Sequence, residues 1–190
     1  MEDTKKYLII LDLNGVLCYK EDRNTIDLAK SVGPEWVETK SYLCRLRPNC
    51  REFIEYILDH KNLRLGIWSS TTYPNSQPII DSILTKEQQK NLEFVWYRDR
   101  VKLDPEIELK YQDHTIKTFD TVKILNDVFL HPTFERKWNE TNTLIVDDSS
   151  RKMRFNSAQT VYIISQFTSE NIDIDVFEEL KLAINLKFFI

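Results

Sequence analysis

Five short apolar runs punctuate the chain: Tyr7 to Leu11, Leu63 to Trp68, Phe94 to Tyr97, Leu144 to Val146 and Val161 to Ile164. Each has the length and the nearly unbroken aliphatic or aromatic character of a strand covered on both faces. Between these runs the apolar positions recur at helical spacing. Phe53, Ile54, Ile57 and Leu58 predict a helix behind Pro48, a residue suited to a helix first turn. Ile79, Ile80, Ile83 and Leu84 predict a second behind Pro78. Phe119, Val122, Leu125 and Phe129 predict a third, with Thr118 as its N-cap. Phe177, Leu180, Ala183, Ile184 and Phe188 predict a fourth. Strands alternating with helices imply right-handed crossovers, hence an α/β fold whose parallel central sheet of about five strands carries helices on both faces. The connections from Val16 to Leu46 and from Arg98 to Lys117 are long for such a fold, and connections of that length commonly carry function or small elements of their own. One domain over residues 1–190 is expected, with a small flap at 16–46 and a short insertion at 98–117 instead of a large cap domain.

Composition narrows the class. With 42% hydrophobic and 29% charged residues, the 190-residue chain is not intrinsically disordered. Its formal net charge of -4 disfavours a protein that grips nucleic acid by bulk charge. No apolar run reaches the ~18 residues of a membrane span. Met1 to Lys6 pass directly into an apolar run that ends in an acid, so they are not read as a signal peptide. Cys18, Cys44 and Cys50 are odd in number and lack C-x-x-C spacing, which reads as reduced thiols of an intracellular, cytoplasmic or nuclear protein. The only glycines, Gly15, Gly33 and Gly66, exclude glycine-rich phosphate loops.

Ligands of open parallel sheets gather beyond the carboxyl ends of the strands, so the residues after each apolar run matter most. The first run is followed by Asp12-Leu13-Asn14-Gly15, the second by Ser69-Ser70-Thr71-Thr72, and the fourth by Asp147-Asp148-Ser149-Ser150. One such junction is no more than a turn or a helix cap. Three in order bring carboxylates and a hydroxyl to one edge of the sheet. Carboxylates gathered there repel one another unless a cation sits among them, and a few hard oxygen ligands suit Mg²⁺. A carboxylate beside a neutralised phosphate can also act as a covalent nucleophile.

At these residues a resemblance becomes specific. Asp12-x-Asn14-Gly15-x-Leu17 after a strand resembles the first motif of the haloacid dehalogenase superfamily, with Ser69 and Asp147-Asp148 at its hydroxyl and acidic motifs. Arg47-Pro48, Trp68-Ser69-Ser70, Asp147-Asp148-Ser149 and Ile116-Lys117-Thr118-Phe119, set against the V-K-D-L of that group, resemble the phosphatases of the RNA polymerase II C-terminal domain and the NLI-interacting-factor-like group. The resemblance implies that Asp12 is the nucleophile and forms an aspartyl-phosphate. It implies Mg²⁺ held by Asp12, the backbone carbonyl of Asn14 and Asp148 with Asp147 beside it. Ser69 would hydrogen-bond a phosphoryl oxygen and Lys117 would neutralise charge, with Lys102 and Lys123 competing for that role. Asn14 departs from the pattern, because a second aspartate normally stands there as general acid and base, and an amide cannot carry that proton. The implied function is a Mg²⁺-dependent phosphatase acting on phosphoserine or phosphothreonine protein segments in an open cleft, slowed by Asn14. Its rivals are a phosphatase-like binding or scaffold protein without turnover and a nucleic-acid-end phosphatase, the latter disfavoured by charge.

Overall fold

In chain order the strands are β1 (Tyr7–Leu11), β2 (Cys18–Glu21), β3 (Trp36–Glu38), β4 (Leu43–Leu46), β5 (Leu63–Trp68), β6 (Phe94–Trp96), β7 (Lys102–Leu103), β8 (Thr121–Val122), β9 (Thr143–Asp147) and β10 (Val161–Ile163). The helices are α1 (Cys50–Asp59), α2 (Tyr73–Ile83), α3 (Lys86–Lys90), α4 (Asn126–Phe129), α5 (Ser150–Met153) and α6 (Phe177–Phe188). The structure, a computed structural model, describes residues 5–21, 33–106, 120–172 and 174–190.

The five anticipated apolar runs form one parallel sheet in the order β10-β9-β1-β5-β6. β1 is central because its residues are apolar on both faces, and alternate side chains sort to opposite sides. Ile9 and Leu11 join Leu65, Ile67 and Val146 beneath α1, α2 and α6, which contribute Phe53, Ile54, Ile80, Leu180 and Ile184. Leu8 and Ile10 face the other way, onto Trp68, Trp138, Ile145, Val128 of α4 and Met153 of α5. The fold is therefore α/β with both sheet faces covered, as the pattern of runs implied.

Register delivers the chemistry. Leu11 stands opposite Ile67 on one side and Val146 on the other. One step further along, Asp12 and Asp147 leave the sheet on adjacent strands, and the Asp12 N–H donates to the Val146 carbonyl at 3.1 Å. Within 16–46, β2, β4 and β3 form a three-stranded antiparallel sheet, with Cys18 opposite Leu46 and Trp36 opposite Arg45.

Two expected helices differ. The second does not begin behind Pro78: α2 starts at Tyr73 after Thr72, and Pro78 lies inside it. Pro78 has no N–H to give the carbonyl one turn back, and burial of Ser76, Ile79, Ile80 and Ile83 holds the helix through that defect. The third is not a helix across its apolar positions. Phe119 and Thr118 lie outside the described residues, while Thr121–Val122 is a strand paired antiparallel with Lys102–Leu103, and helix forms only at Asn126–Phe129. The Lys123 N–H bonds to the Lys152 carbonyl at 3.2 Å, an attachment to another element that a helix there would not allow. Among the described residues no helix is long and apolar enough to cross a membrane.

Candidate active site

The turn after β1 is built to hold one carboxylate. The Leu13 carbonyl accepts from the N–H groups of Leu17 and Cys18 at 2.8 and 3.0 Å, and the Leu13 N–H donates to Asp12 Oδ1 at 2.7 Å. Gly15 takes φ +85°, and a Cβ there would lie 2.2 Å from Asp148 Oδ2, so both backbone and space demand glycine. Buried Arg47 fastens the turn from behind, donating Nη1 to the Val16 carbonyl at 3.0 Å and Nη2 to the Ser165 carbonyl at 2.7 Å. Asp12 is left 2% exposed, at the wall of a cleft.

Among the described residues, three carboxylates and two lysines meet at this point. Asp12, Asp147 and Asp148 each place a carboxylate oxygen within 4.8 Å of the others. Lys123, fully buried, bridges Asp12 Oδ2 at 3.0 Å and Asp147 Oδ2 at 2.7 Å. Lys152 approaches Asp12 Oδ2 at 3.5 Å and Asp147 Oδ1 at 3.9 Å. The other Asp147 oxygen also accepts from the Ser149 N–H at 2.9 Å, so both of its oxygens are engaged.

Among the described residues three negative groups share two positive ones, and burial together with this imbalance sets the direction in which each proton affinity moves. Burial, and then the neighbouring Asp147 charge, push the Asp148 carboxyl up to about 6. Burial raises Asp12 as well, against the pull of Lys123. At Asp147 burial acts in the same direction, but Lys123 and Lys152 outweigh it and hold the carboxyl below its ordinary value. Burial works against charge on Lys152 too, yet the three aspartates prevail and raise it.

The centre fits a small divalent cation on this structure's own terms. Asp148 Oδ1 and Asn14 Oδ1 are buried without a hydrogen-bond partner beside the surplus negative charge, and Gly15, having no Cβ, lets the Asp148 carboxylate lie against the turn. Asp148 has the carboxylate oxygen that no donor reaches, and Asp12 and Asp147, whose oxygens already accept from backbone N–H groups and lysines, stand beside it.

A second cluster anchors the lysine-bearing elements. Asp104, buried after β7, accepts from Arg151 at 2.8 Å and from Arg154 at 2.5 and 3.0 Å, and Arg151 also reaches Asp120 at 2.8 Å. These bonds tie α5 to the β7–β8 pair. Lys123 follows β8 directly, so the clasp spans the two elements that deliver Lys123 and Lys152.

The cleft holds about 420 Å³ and is lined by Lys20, Tyr42, Ser70, Thr71, Thr72, Asn75, Arg98, Thr121 and Lys152 around Asp12 and Asn14. Ser69 lies fully buried just behind it, its Oγ accepting from the Thr71 N–H at 3.1 Å, while Ser70, Thr71 and Thr72 face the opening. Lys117 lies outside the described residues, as does Ile116-Lys117-Thr118-Phe119 as a whole. Of its competitors, Lys102 pairs with Asp127 at 2.6 Å, and Lys123 sits at the centre. The signal for Lys123 was present: Val122-Lys123-Ile124-Leu125 matches V-K-D-L at three positions, Ile116-Lys117-Thr118-Phe119 at one. Lys152 was not anticipated, and its only sequence signal is a cation one helical turn after Asp148.

A family model described as NLI interacting factor-like phosphatase matches residues 7–188. The chain belongs to this family. Within the NLI interacting factor-like phosphatases it is 32% identical over 158 residues to an uncharacterized FCP1 homology domain-containing protein of Schizosaccharomyces pombe, covering 79% of this chain and 57% of that one. It is 28% identical over 120 residues to a putative CTD phosphatase-like protein of invertebrate iridescent virus 3, covering 60% and 58%. Among solved structures it is similar to Fcp1, described as an essential RNA polymerase II CTD phosphatase, with a TM-score of 0.59 at 14% identity over 96% of this chain and 49% of that one. A fission yeast Fcp1 variant bound to beryllium fluoride aligns with a TM-score of 0.54 at 13% identity, over 97% and 51%. The chain spans about half the length of the solved Fcp1 chains and under three-fifths of these curated relatives. The superfamily resemblance carried by Asp12, Asn14 and Asp147-Asp148 is thus borne out, together with the fold, and family membership supports a phosphatase function.

Proposed function

We propose that this chain is a Mg²⁺-dependent phosphatase that passes a phosphoryl group through Asp12, acting on phosphoserine or phosphothreonine protein segments. The observation that carries this reading is a single carboxylate at the wall of an open cleft, held by a buried lysine and flanked by two further aspartates. An Asp12 oxygen attacks phosphorus as the bond to the substrate oxygen breaks, and that oxygen leaves and takes up a proton. Water then attacks the acyl phosphate, releasing inorganic phosphate and restoring the carboxylate. Lys123 fixes Asp12 and keeps Asp147 ionised beside it; we assign it, in place of Lys117, as the lysine that neutralises the nucleophile. Mg²⁺, held by Asp12, Asp148 and the backbone of Asn14 with Asp147 beside them, would neutralise charge on the phosphoryl group and the carboxylates. The hydroxyls of Ser70 and Thr71 line the cleft beyond β5, where they can donate to phosphoryl oxygens, while buried Ser69, in the hydroxyl-motif position, braces that turn through the Thr71 N–H.

Supporting a protein segment as substrate is the lining of the cleft, polar side chains with Lys20, Arg98 and Lys152 as cations. Family membership and the fold shared with Fcp1 point the same way.

Asn14 favours one alternative, a phosphate-binding scaffold without turnover. Its amide cannot protonate the leaving oxygen or activate water, a contribution on the order of 10²–10⁴ in rate. The test is hydrolysis of an aryl phosphate with Mg²⁺, comparing the protein with Asn14→Asp. A phosphatase gives measurable turnover that the substitution raises by roughly 10²–10⁴, with little change in KM. A folded Asn14→Asp protein that binds Mg²⁺ and hydrolyses nothing establishes the scaffold instead.

A further inference from the structure

Two lysines converge on the same Asp12 oxygen, yet their settings differ. Lys123 is fully buried, makes the short contacts at 3.0 and 2.7 Å, and has no face on the cleft. Lys152 stands at 3.5 Å, beyond the usual length of a charged N–H···O bond, with 21% of its side chain exposed and a place in the cleft lining. Its ammonium carries three donors, and the contacts to Asp12 and Asp147 are both long.

The Lys152 backbone, by contrast, is fixed. Its carbonyl accepts from the Lys123 N–H, its N–H donates to Ser149 Oγ at 3.4 Å, and Arg151 and Arg154 on either side of Met153 and Lys152 clasp Asp104. A long, loosely held side chain on a rigid base can therefore turn without disturbing the centre. A phosphorus approaching Asp12 brings its oxygens in from the cleft side, where Lys152 is the accessible one of the two lysines.

We propose that Lys152 is a second phosphate-binding cation of this site, a catalytic residue that passes from Asp12 to a phosphoryl oxygen when a phosphate ester or inorganic phosphate enters. Lys123 remains between Asp12 and Asp147 as the fixed counter-ion. The two lysines divide the work: one holds the nucleophile and the other receives the charge that arrives. The inference rests on Asp12 as the phosphoryl acceptor.

Calorimetric titration of inorganic phosphate into the Mg²⁺-loaded protein, alongside aryl phosphate kinetics, tests it with Lys152→Met and Lys152→Arg. Losing one charge-assisted hydrogen bond to the anion should weaken phosphate binding and raise KM by roughly 10- to 100-fold in Lys152→Met. Lys152→Arg should recover most of that loss, and titration of Mg²⁺ alone should show affinity unchanged or tighter in Lys152→Met. If Lys152 were only a structural counter-ion, Lys152→Met would melt lower while its folded form bound phosphate as the parent does, and that result overturns the proposal. Where circular dichroism shows that Lys152→Met has not folded, Lys152→Gln takes its place: phosphate affinity weakened by a similar factor supports the role, and affinity equal to the parent's refutes it. If the parent protein neither binds phosphate nor hydrolyses the ester, the assignment of Asp12 falls, and this inference falls with it.

Discussion

Lys123→Met should destabilise the folded protein strongly and in a cation-dependent way. The substitution keeps an unbranched side chain one heavy atom shorter and removes the only fully buried positive charge described at the site. Two carboxylate oxygens, Asp12 Oδ2 at 3.0 Å and Asp147 Oδ2 at 2.7 Å, lose their shortest cationic partner inside the protein. Breaking a buried pair by deleting one member costs about 3–5 kcal/mol. Lys152, already 3.5 and 3.9 Å from the same two residues, can shift toward them, which places the expected loss near the lower end, about 3 kcal/mol. For a chain of this size each kcal/mol moves Tm by roughly 2–4 °C, so the melting point should fall by roughly 6–12 °C. Differential scanning calorimetry at neutral pH measures it, with and without Mg²⁺. Because a divalent cation would replace the missing positive charge, saturating Mg²⁺ should return part of the loss, and by more than it stabilises the parent. Acidification should narrow the gap too, since carboxylates that take up protons no longer need the lysine. A Lys123→Met protein that melts within about 2 °C of the parent in the absence of Mg²⁺ refutes the reasoning that this lysine balances the two aspartates.

Gly15→Ala forces a Cβ to within 2.2 Å of Asp148 Oδ2 at a φ of +85°, and should lower Mg²⁺ affinity as well as stability, the left-handed backbone alone costing about 1–2 kcal/mol. Unaltered Mg²⁺ binding by calorimetry would remove Asp148 and Gly15 from the cation site. Hydrogen bonds from Arg154, supported by Arg151, hold the Asp104 carboxyl down to about 2, against an ordinary value of 3.8. The folded form thus keeps Asp104 ionised where the unfolded chain would protonate it, so this stability is complete above about pH 4 and is lost as pH falls toward 2. Asp104→Asn should melt lower at neutral pH and lose less on acidification, as read from Tm against pH; parallel curves for the two proteins would mean that the clasp contributes nothing.

The strands were legible because parallel strands buried on both faces must be nearly continuous apolar runs, and Tyr7 to Leu11 or Leu63 to Trp68 has few other ways to satisfy that demand. α6 was legible from helical spacing, since Phe177, Leu180, Ile184 and Phe188 of its stripe are buried, and Ala183 alone is only half-buried. Asp12, Asp147 and Asp148 could be found because strand ends are where open sheets gather ligands, and the structure does bring them together. The cations could not be ranked in this way. A lysine reaches a carboxylate through tertiary structure, and Lys123 and Lys152 arrive from β8 and α5, elements separated from β1 by more than a hundred residues. Periodicity also misled at Val122 and Leu125, whose apolar spacing fits a helix although the backbone runs through β8 and turns before α4. Pro78 misled in the opposite sense, since a proline that commonly opens a helix is carried here in its interior by the burial around it.

The claim on which the rest depends is that Asp12 becomes phosphorylated. Asn14 offers no carboxylate to activate the water of the second step, so the phosphorylated state should persist long enough to be captured. The direct measurement is acid quenching of the protein after brief incubation with an aryl phosphate and Mg²⁺, followed by intact-mass and peptide mass spectrometry. The account predicts a mass gain of one phosphoryl group, carried on Asp12 in the peptide that contains it and absent from Asp12→Asn. Phosphate released at the parent rate by Asp12→Asn, or a covalent phosphoryl group found on another residue, would contradict it.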